Sequence, residues 1–409
     1  MRQADTVVIL AGGDGDRFRP LTGKYLFPFI GKPLLRHVCD SMMPYGKKLA
    51  VIVAPGQEDM IRAVVPPGTV IVTQHKQEGG MGDAILACKR ILKGSVIIIG
   101  NDVFDESVIG SILDKADSHH AGVVLTAYKP GTYFPGGYLM FRDGNVAGIV
   151  EKPGAGNEPS PWVTLVADYV ADIDDFITEL EKTESSDSMF ETALSSLMGR
   201  TKADYVAYEG EWNAPKYPWN VLSLSAHFLS KTHRHVEAGC QIDPTAVITG
   251  DVYLGKNVRV GAYSKIAGPA YIGEDTVIAD YAMVRESHIG NSCLIGSSTE
   301  VARSYLADRV SLHRNYVGDS VLGEGVLMGA GAVTANFRFD AKNVSSYVAG
   351  KKIDTGHHKL GAIVGANAHI GVNVTILPGI KIGAKATVGP GEVIVKDIPD
   401  ESVIFTNRT

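Results

Sequence analysis

Near the amino terminus Gly12, Gly13 and Gly15 lead directly to Arg17, with Lys24 just beyond. This grouping suits phosphate binding. Glycines let backbone N–H groups close on an anion, and two fixed cations neutralise its charge. The preceding run Val7-Val8-Ile9-Leu10-Ala11 reads as a buried strand, so the loop is predicted at a strand's carboxyl end. A Gly-rich turn after a strand can equally be a tight connection and nothing more. Two better-known phosphate loops are excluded. The dinucleotide fingerprint needs a glycine where Phe18 stands, and the P-loop needs Ser or Thr where Tyr25 follows Gly23-Lys24.

Three further groups could do chemistry. Asp102, after Gly100-Asn101, offers hard carboxylate oxygens of the kind Mg²⁺ takes, or it is a turn residue. In Glu151-Lys152-Pro153 the Glu could accept from sugar hydroxyls and the Lys could pair with a phosphate. His313, in the polar run Ser311–Ser320, could act as a general base or be a structural histidine.

The elements that must position these residues follow from the apolar pattern. After the first strand, runs at 48–54, 69–73, 96–100 and 122–128 alternate with helical stretches at 33–43, 58–65, 83–93 and 106–119. That alternation predicts an α/β domain with a mainly parallel sheet, whose ligands bind outside the carboxyl ends of the strands. Gln74 and the Gly-rich link Gly79-Gly80-Met81-Gly82 stand at such an end. A hairpin is predicted at Arg142–Asn145, and a closing helix at 218–229. The polar stretch Ser230–His235 reads as a linker, in which His233 and His235 could alternatively ligate a metal. The domains are therefore expected to span 1–235 and 236–409.

The second half carries a repeat. Apolar residues fall every sixth position from Ile242 through Ile248, Leu254, Val260, Ile266, Ile272 and Ile278 to Val284. The phase shifts for Ile289, Ile295 and Val301. It returns from Val364 through Ile370, Ile376, Ile382 and Val388 to Ile394. This is the hexapeptide period of a parallel β-helix, three repeats to a coil. The run 311–320 is expected to interrupt the coil, with a long insertion reaching about Gly361. Such a coil can be a scaffold only, so its chemistry needs separate evidence.

Composition narrows the class. With 409 residues, 45% hydrophobic and 21% charged, the chain can bury two or three domain cores. The net charge of −6 and the lack of a basic run argue against nucleic acid. No signal region or membrane-length apolar run stands out, and Cys39, Cys88, Cys240 and Cys293 are widely spaced. Together these point to a reducing cytoplasm.

The motif L-A-G-G-x-G-x-R-x-x-P-L-T, then Lys24 four residues before Pro28, Gly31-Lys32-Pro33, the Asp102 strand end and Glu151-Lys152-Pro153, resembles the sugar-1-phosphate nucleotidylyltransferases over about residues 5–230. The resemblance implies that Leu10, Ala11, Gly12 and Gly13 contact the nucleotide. It implies that Gly15, Arg17 and Lys24 hold the triphosphate, and that Gln74 and Gly80 contact the base. Asp102 would bind Mg²⁺, and Gly137, Glu151 and Lys152 the sugar phosphate. Several positions depart from the pattern. Asp16 stands where Thr is usual, and Gly80-Met81-Gly82 lacks a hydroxyl. Leu165-Val166-Ala167 replaces an Asn-Ala-Gly before the next strand, where Asp168 could compensate. Ala214 replaces a metal-binding Asp, for which Asn213 or Asn220 could substitute weakly.

The second half, through H-x-x-Y-V-G-D-S, G-A-G-x-x-T-A-N-x-R-F-D and H-K-L-G-A-I-V-G, is similar to the acetyltransferase half of bifunctional N-acetylglucosamine-1-phosphate uridylyltransferases of the archaeal type. The resemblance implies that His313 deprotonates an amino sugar, that Tyr316 and Asn336 position it, and that Arg285 and Lys342 hold its phosphate. Ala330 would lie near the acetyl-CoA thioester. Here Ala302-Arg303 replaces Lys-Asn, with Arg303 a partial substitute, and Leu327-Met328 displaces an Asn.

The expectation is a Rossmann-like nucleotidyltransferase domain followed by a left-handed β-helix. The enzyme would transfer a nucleotidyl group from UTP or dTTP to N-acetylglucosamine-1-phosphate or glucose-1-phosphate. It would also N-acetylate an amino-sugar-1-phosphate, and assemble as a trimer or a dimer of trimers through the β-helix. The alternatives are a monofunctional glucose-1-phosphate enzyme with a structural β-helix, and a degenerate regulatory homologue that binds nucleotide sugar without turnover.

Overall fold

The computed structural model describes residues 2–13, 15–74 and 80–405. Asp14 and Gly79 of the Gly-rich motifs lie outside them. Contacts divide the chain into two compact units. The first is Met1–Asp14 with Pro33–Ala214, and the second is Gly15–Lys32 with Pro215–Thr409.

The first unit begins with β1 (Ala4–Ala11), then α1 (Leu34–Met42), β2 (Gly46–Val53), α2 (Glu58–Arg62), β3 (Val70–Thr73), α3 (Gly80–Ala87), β4 (Val96–Ile99), α4 (Ser107–His119) and β5 (Val123–Tyr128). The hairpin β6 (Gly137–Arg142) and β7 (Asn145–Glu151) follows, then β8 (Val163–Val170), α5 (Ile173–Lys182), α6 (Met189–Met198) and β9 (Ala203–Tyr208). The sheet order is β9-β5-β8-β4-β1-β2-β3, with the hairpin attached to β8. Strands β4, β1, β2 and β3 run parallel, whereas β8 lies antiparallel between β4 and β5. Val8, Ile52, Ile98 and Leu125 turn one sheet face into a core shared with Phe176 of α5 and Phe190 of α6. The central strands carry runs such as Val96-Ile97-Ile98-Ile99 because both faces are covered, so alternation is lost.

Leu165-Val166-Ala167 does not precede a strand. It lies inside β8, where the register with β5 shifts between Leu165 and Tyr169. Asp168 falls in that irregular segment and is fully buried, which removes it as an exposed substitute for the replaced Asn.

In the second unit α7 (Asn220–Ser230) is followed by a left-handed parallel β-helix of three sheets, whose short strands pair with the coil above and below. The inward positions predicted from the hexad are buried from Leu254 to Ile394. Ile242, in an end coil, is 41% exposed. The corners need left-handed backbone, supplied by non-glycine residues stacked in register: Asn257, Asp275, Ser292 and Arg309 on one edge, Tyr263, Tyr281, Ser298 and Arg314 on another. Asn, Asp and Ser tolerate this conformation because their short side chains can bond locally; Asn257 Nδ2 donates to Asp275 Oδ1 at 3.0 Å.

The run 311–320 does not interrupt the coil. Strands Ser311–Leu312, Tyr316–Gly318, Val321–Leu322, Leu327–Met328 and Val333–Thr334 continue all three sheets. The reason the pattern hides this is a shortened circuit: Leu306 pairs with Leu322, whereas Leu254 pairs with Ile272. One inward position is also polar, the buried Thr334, whose hydroxyl accepts from Gly318 N–H at 3.1 Å. The excursion from the coil begins only after Thr334 and carries an antiparallel hairpin, Ser345–Val348 with Lys351–Asp354. His235 is not a linker residue, since His235–Val236 forms the first strand of one β-helix sheet.

Candidate functional sites in two units

In the first unit, β1 ends at Leu10-Ala11 and the chain turns at Gly12 and Gly13. A Cβ on Gly12 would lie 2.5 Å from Gln74 Oε1, so the Gln74 amide closes directly on the glycine's backbone. Gln74 follows β3, is buried, and donates from Nε2 to the Gly80 carbonyl at 3.1 Å. Leu10, Ala11, Gly12, Gln74 and Gly80 therefore gather at the carboxyl ends of parallel strands. Gly80 opens α3 with φ +62°.

Asp102 follows β4. Its Oδ2 accepts from Trp212 Nε1 at 2.8 Å, and Trp212 is set edge-on to Phe134 and Tyr128, with centroids 4.9 and 5.5 Å away. Trp212 is not among the residues the sequence motifs single out. A lone Trp carries no polar signature that names its partner. Asn213 exchanges backbone bonds with Val103, which brings the neighbourhood of Ala214 beside Asp102, where Ala214 itself supplies no carboxylate. Asn220 belongs to the second unit, where its Oδ1 accepts from Tyr217 N–H at 2.8 Å. Among the described residues no three His, Cys, Asp or Glu side chains converge as a metal cage.

Gly137, Glu151 and Lys152 are brought together by the hairpin. Gly137 pairs with Glu151, and a Cβ on Gly137 would meet Ile149 at 2.7 Å. Lys152 Nζ lies 3.1 Å from Glu151 and 2.9 Å from Asp187, a partner the sequence did not suggest. The hydrogen bond to Asp187 and then the Glu151 carboxylate hold the Lys152 ammonium above its ordinary range. Glu191 of α6 is buried nearby. Burial, then the Glu151 charge, pushes its carboxyl up to about 7.

Gly15, Arg17 and Lys24 lie in the second unit. Arg17 is in a short 3₁₀ turn, Asp16–Phe18, in which Asp16 and Arg17 are exposed and Phe18 is buried. Lys24 Nζ sits 4.7 Å from the Tyr25 ring centroid.

On the β-helix, Arg285, Glu300, Ala302 and Tyr316 belong to neighbouring strands of one sheet, and Asn336 follows the next strand, Val333–Thr334. Asn336 Nδ2 donates to Tyr316 Oη at 3.2 Å and also to Asp319. Asn315, buried, accepts from His313 N–H and donates to the carbonyls of Gly329 and Ala332, tying the His313 corner to the corner of Ala330 one coil on. Tyr316 is thus paired with Asn336, and the His313 corner with the Ala330 corner, with His313 exposed. Arg285 Nη2 donates to Glu300 at 2.7 Å. Lys342 lies in the excursion, beside Arg338, Lys352 and Asp354 around one cavity. Arg303 is no spare cation: Nε and Nη2 both donate to Asp319, each at 2.7 Å.

Residues 6–213 match the nucleotidyl transferase family model, and residues 231–353 match the GMPPB C-terminal domain model. The chain is 31% identical to the bifunctional sugar-1-phosphate nucleotidylyltransferase/acetyltransferase of Sulfurisphaera tokodaii, over 95% of this chain and 97% of that protein. It is 30% identical to the bifunctional protein GlmU of Methanococcus maripaludis strain S2, and 29% identical to that of strain C5, each over 97% of this chain and 96% of the relative. No helix among the described residues is long and apolar enough to cross a membrane. A Gly-rich strand end facing a pinned Gln in one unit, a Tyr316–Asn336 pair on a β-helix in the other, and relatedness along nearly the whole length carry one conclusion: the chain belongs to the family of bifunctional sugar-1-phosphate nucleotidylyltransferase/acetyltransferases.

Proposed function

We propose that this enzyme transfers a nucleotidyl group from UTP or dTTP to a sugar-1-phosphate, and that its β-helix N-acetylates an amino-sugar-1-phosphate from acetyl-CoA. The observation that carries the first activity is the approach of Gly12 to Gln74, which leaves backbone at the strand end for a nucleotide. Gln74, fixed by the Gly80 carbonyl, faces a pyrimidine edge in this reading. Arg17 and Lys24 hold the triphosphate; Gly137, Glu151 and Lys152 hold the sugar phosphate. An oxygen of the sugar phosphate forms a bond to the α-phosphorus, and the bond to the β-phosphate's bridging oxygen breaks, releasing pyrophosphate. The attacking oxygen is already ionised, so positioning and charge neutralisation do the catalysis, with no general base.

A single carboxylate, Asp102, fits Mg²⁺ in the shared manner, where the ion takes one protein carboxylate and substrate phosphate oxygens. When bound there, the ion would neutralise phosphate charge. Trp212 would orient the carboxylate that holds it.

In the second activity His313 takes a proton from the acceptor amine. The nitrogen bonds to the acetyl carbonyl carbon, the C–S bond breaks, and coenzyme A leaves as the thiol. Tyr316 and Asn336 orient the acceptor, Arg285 and Lys342 meet its phosphate, and Ala330 lies by the thioester. A trimer or dimer of trimers through the β-helix is the proposed assembly, and the cytoplasm the proposed location. The Arg303–Asp319 pair and Ala302 favour a second reading, in which only nucleotidyl transfer occurs and the β-helix is a scaffold.

Purified protein with Mg²⁺, offered UTP or dTTP with a panel of sugar-1-phosphates, should release pyrophosphate. Offered acetyl-CoA with glucosamine-1-phosphate, it should release thiol. Lys24→Ala should cut the first by orders of magnitude and spare the second, and His313→Ala should do the reverse. Pyrophosphate without thiol selects the second reading. Neither product across the panel would leave only a binding role.

A further inference from the structure

One face of the β-helix carries a ladder of rings, one per coil: His235, Tyr253, Tyr271, His288 and Tyr305. Their centroids are successively 5.3, 5.2, 4.9 and 4.4 Å apart, and all four pairs are stacked. In-register pairing of the strands sets each ring over the last. Outward rings on a coil would ordinarily meet water. Here Tyr271, His288 and Tyr305 are only 7, 3 and 0% exposed.

The segment Gly15–Lys32, part of the same unit, helps cover them. Phe27 lies 4.9 Å from the Tyr305 ring, and Phe29 lies between Tyr305 at 5.6 Å and Phe228 of α7 at 5.2 Å. Tyr305 Oη donates to the Pro28 carbonyl at 2.5 Å, and Ile30 N–H donates to His288 Nε2 at 3.2 Å. The second bond needs a neutral imidazole with Nδ1 protonated, and Nδ1 faces the Leu306 carbonyl at 3.4 Å. Burial keeps it neutral, pulling the imidazole down to about 4. Gly31 has φ +73°, and a Cβ there would come 2.9 Å from Tyr271 Oη. Further back, Phe18 packs edge-on to Phe27 at 5.7 Å, next in sequence to Arg17. Hydrogen bonds from Leu21 to Phe18 and from Leu26 to Gly23 shape the turns up to Lys24.

We propose that Tyr271, His288 and Tyr305 are positioning residues for Arg17 and Lys24, so that nucleotidyl transfer depends on β-helix side chains that touch no substrate. This rests on the reading that Arg17 and Lys24 hold the triphosphate. A phosphate-binding loop on an exposed segment gains nothing from its cations unless they are held in place before substrate arrives. Ring stacking supplies area, while the two hydrogen bonds fix which carbonyl and which amide face the ladder. Leaving the part-buried Ile30 amide without its acceptor would carry the cost of an unpaired donor.

The test uses the intact protein. The double variant His288→Phe with Tyr305→Phe keeps the stacked rings and deletes both bonds to the segment. It should lower kcat/KM for the nucleoside triphosphate by about 10- to 100-fold, chiefly through KM, with the KM for sugar-1-phosphate within about twofold. His288→Gln, whose Oε1 can accept from Ile30, should recover most of the loss seen in His288→Phe. Gly31→Ala, which presses on Tyr271 from the segment's side and leaves the coil intact, should give the same split. The melting midpoint and thiol release serve as controls on the β-helix. Unchanged triphosphate kinetics in the double variant or in Gly31→Ala would overturn the proposal. So would equal losses toward both substrates, or His288→Gln as impaired as His288→Phe. Lys24→Ala separates the two ideas: normal pyrophosphate release in that variant sinks the reading of Lys24, whereas loss there with a normal double variant sinks the ladder alone.

Discussion

Asp168 holds a carboxyl inside β8 with Oδ1 accepting from Thr164 at 3.2 Å and Oδ2 without a hydrogen-bond partner among the described residues. Burial pushes it up to about 8. Glu191, pushed to about 7, has an equally unpartnered Oε2. Both groups keep a proton in the folded chain that they would release at ordinary carboxyl pH once unfolded. Their favourable contribution is therefore present in acid and lost as pH rises from about 4 through 7 to 8. Asp168→Asn should flatten that alkaline loss, read as the change in melting midpoint between pH 5 and pH 8.5; equal slopes for the variant and the parent would refute the protonated carboxyl. Asp102 depends on a neighbour instead of burial. Trp212→Phe removes the N–H that orients it, and should raise the Mg²⁺ concentration for half-maximal pyrophosphate release about tenfold or more. An unchanged Mg²⁺ titration would mean that the indole bond has no part in metal affinity.

The β-helix is specified by one inward side chain in six, and so most of it is readable as a period. What defeats the period is a change of circuit length. Leu306 and Leu322 stack although they are closer in sequence than Leu254 and Ile272, and Asn315 and, farther on, Thr334 bury polar groups that bond within the coil. The run 311–320 therefore reads as a break, although it is continuous β-helix. Leu312 is the test of that continuity, since it is fully buried in the same core as Ile295 and Met328. Leu312→Ala should cost about 2–5 kcal/mol by opening a cavity, measured as the urea midpoint of the β-helix transition. Ser311→Ala, on the same strand facing outward, should change little. If the two cost the same, Leu312 does not belong to the core.

The two halves of the molecule were unequally legible. The α/β half announces itself through apolar runs that stop at Gly or Asp, because buried parallel strands must be apolar and their ends must turn. Its Gly12–Gln74 approach was implied only by resemblance, as no spacing rule links two residues brought together by separate strands. The membership of Gly15–Lys32 in the second unit was not legible at all. It depends on Phe27, Phe29 and Ile30 meeting Tyr305 and His288, contacts with no periodic trace in the chain. Likewise the pairing of Arg303 with Asp319 converts an apparent substitute cation into a closed ion pair, which residue type alone cannot reveal. The stacked left-handed corners have a wider consequence. Each circuit returns the backbone to the same corner after about one sheet spacing, ~4.8 Å, so this half can change length only by whole storeys. A residue inserted within a strand would turn inward side chains to solvent, whereas extra chain at a corner, like the excursion after Thr334, leaves Leu322 paired with Val364 and the stack in register. Its height is thus quantised, and a storey added beyond Tyr305 would leave the rung that meets Ile30 where it is.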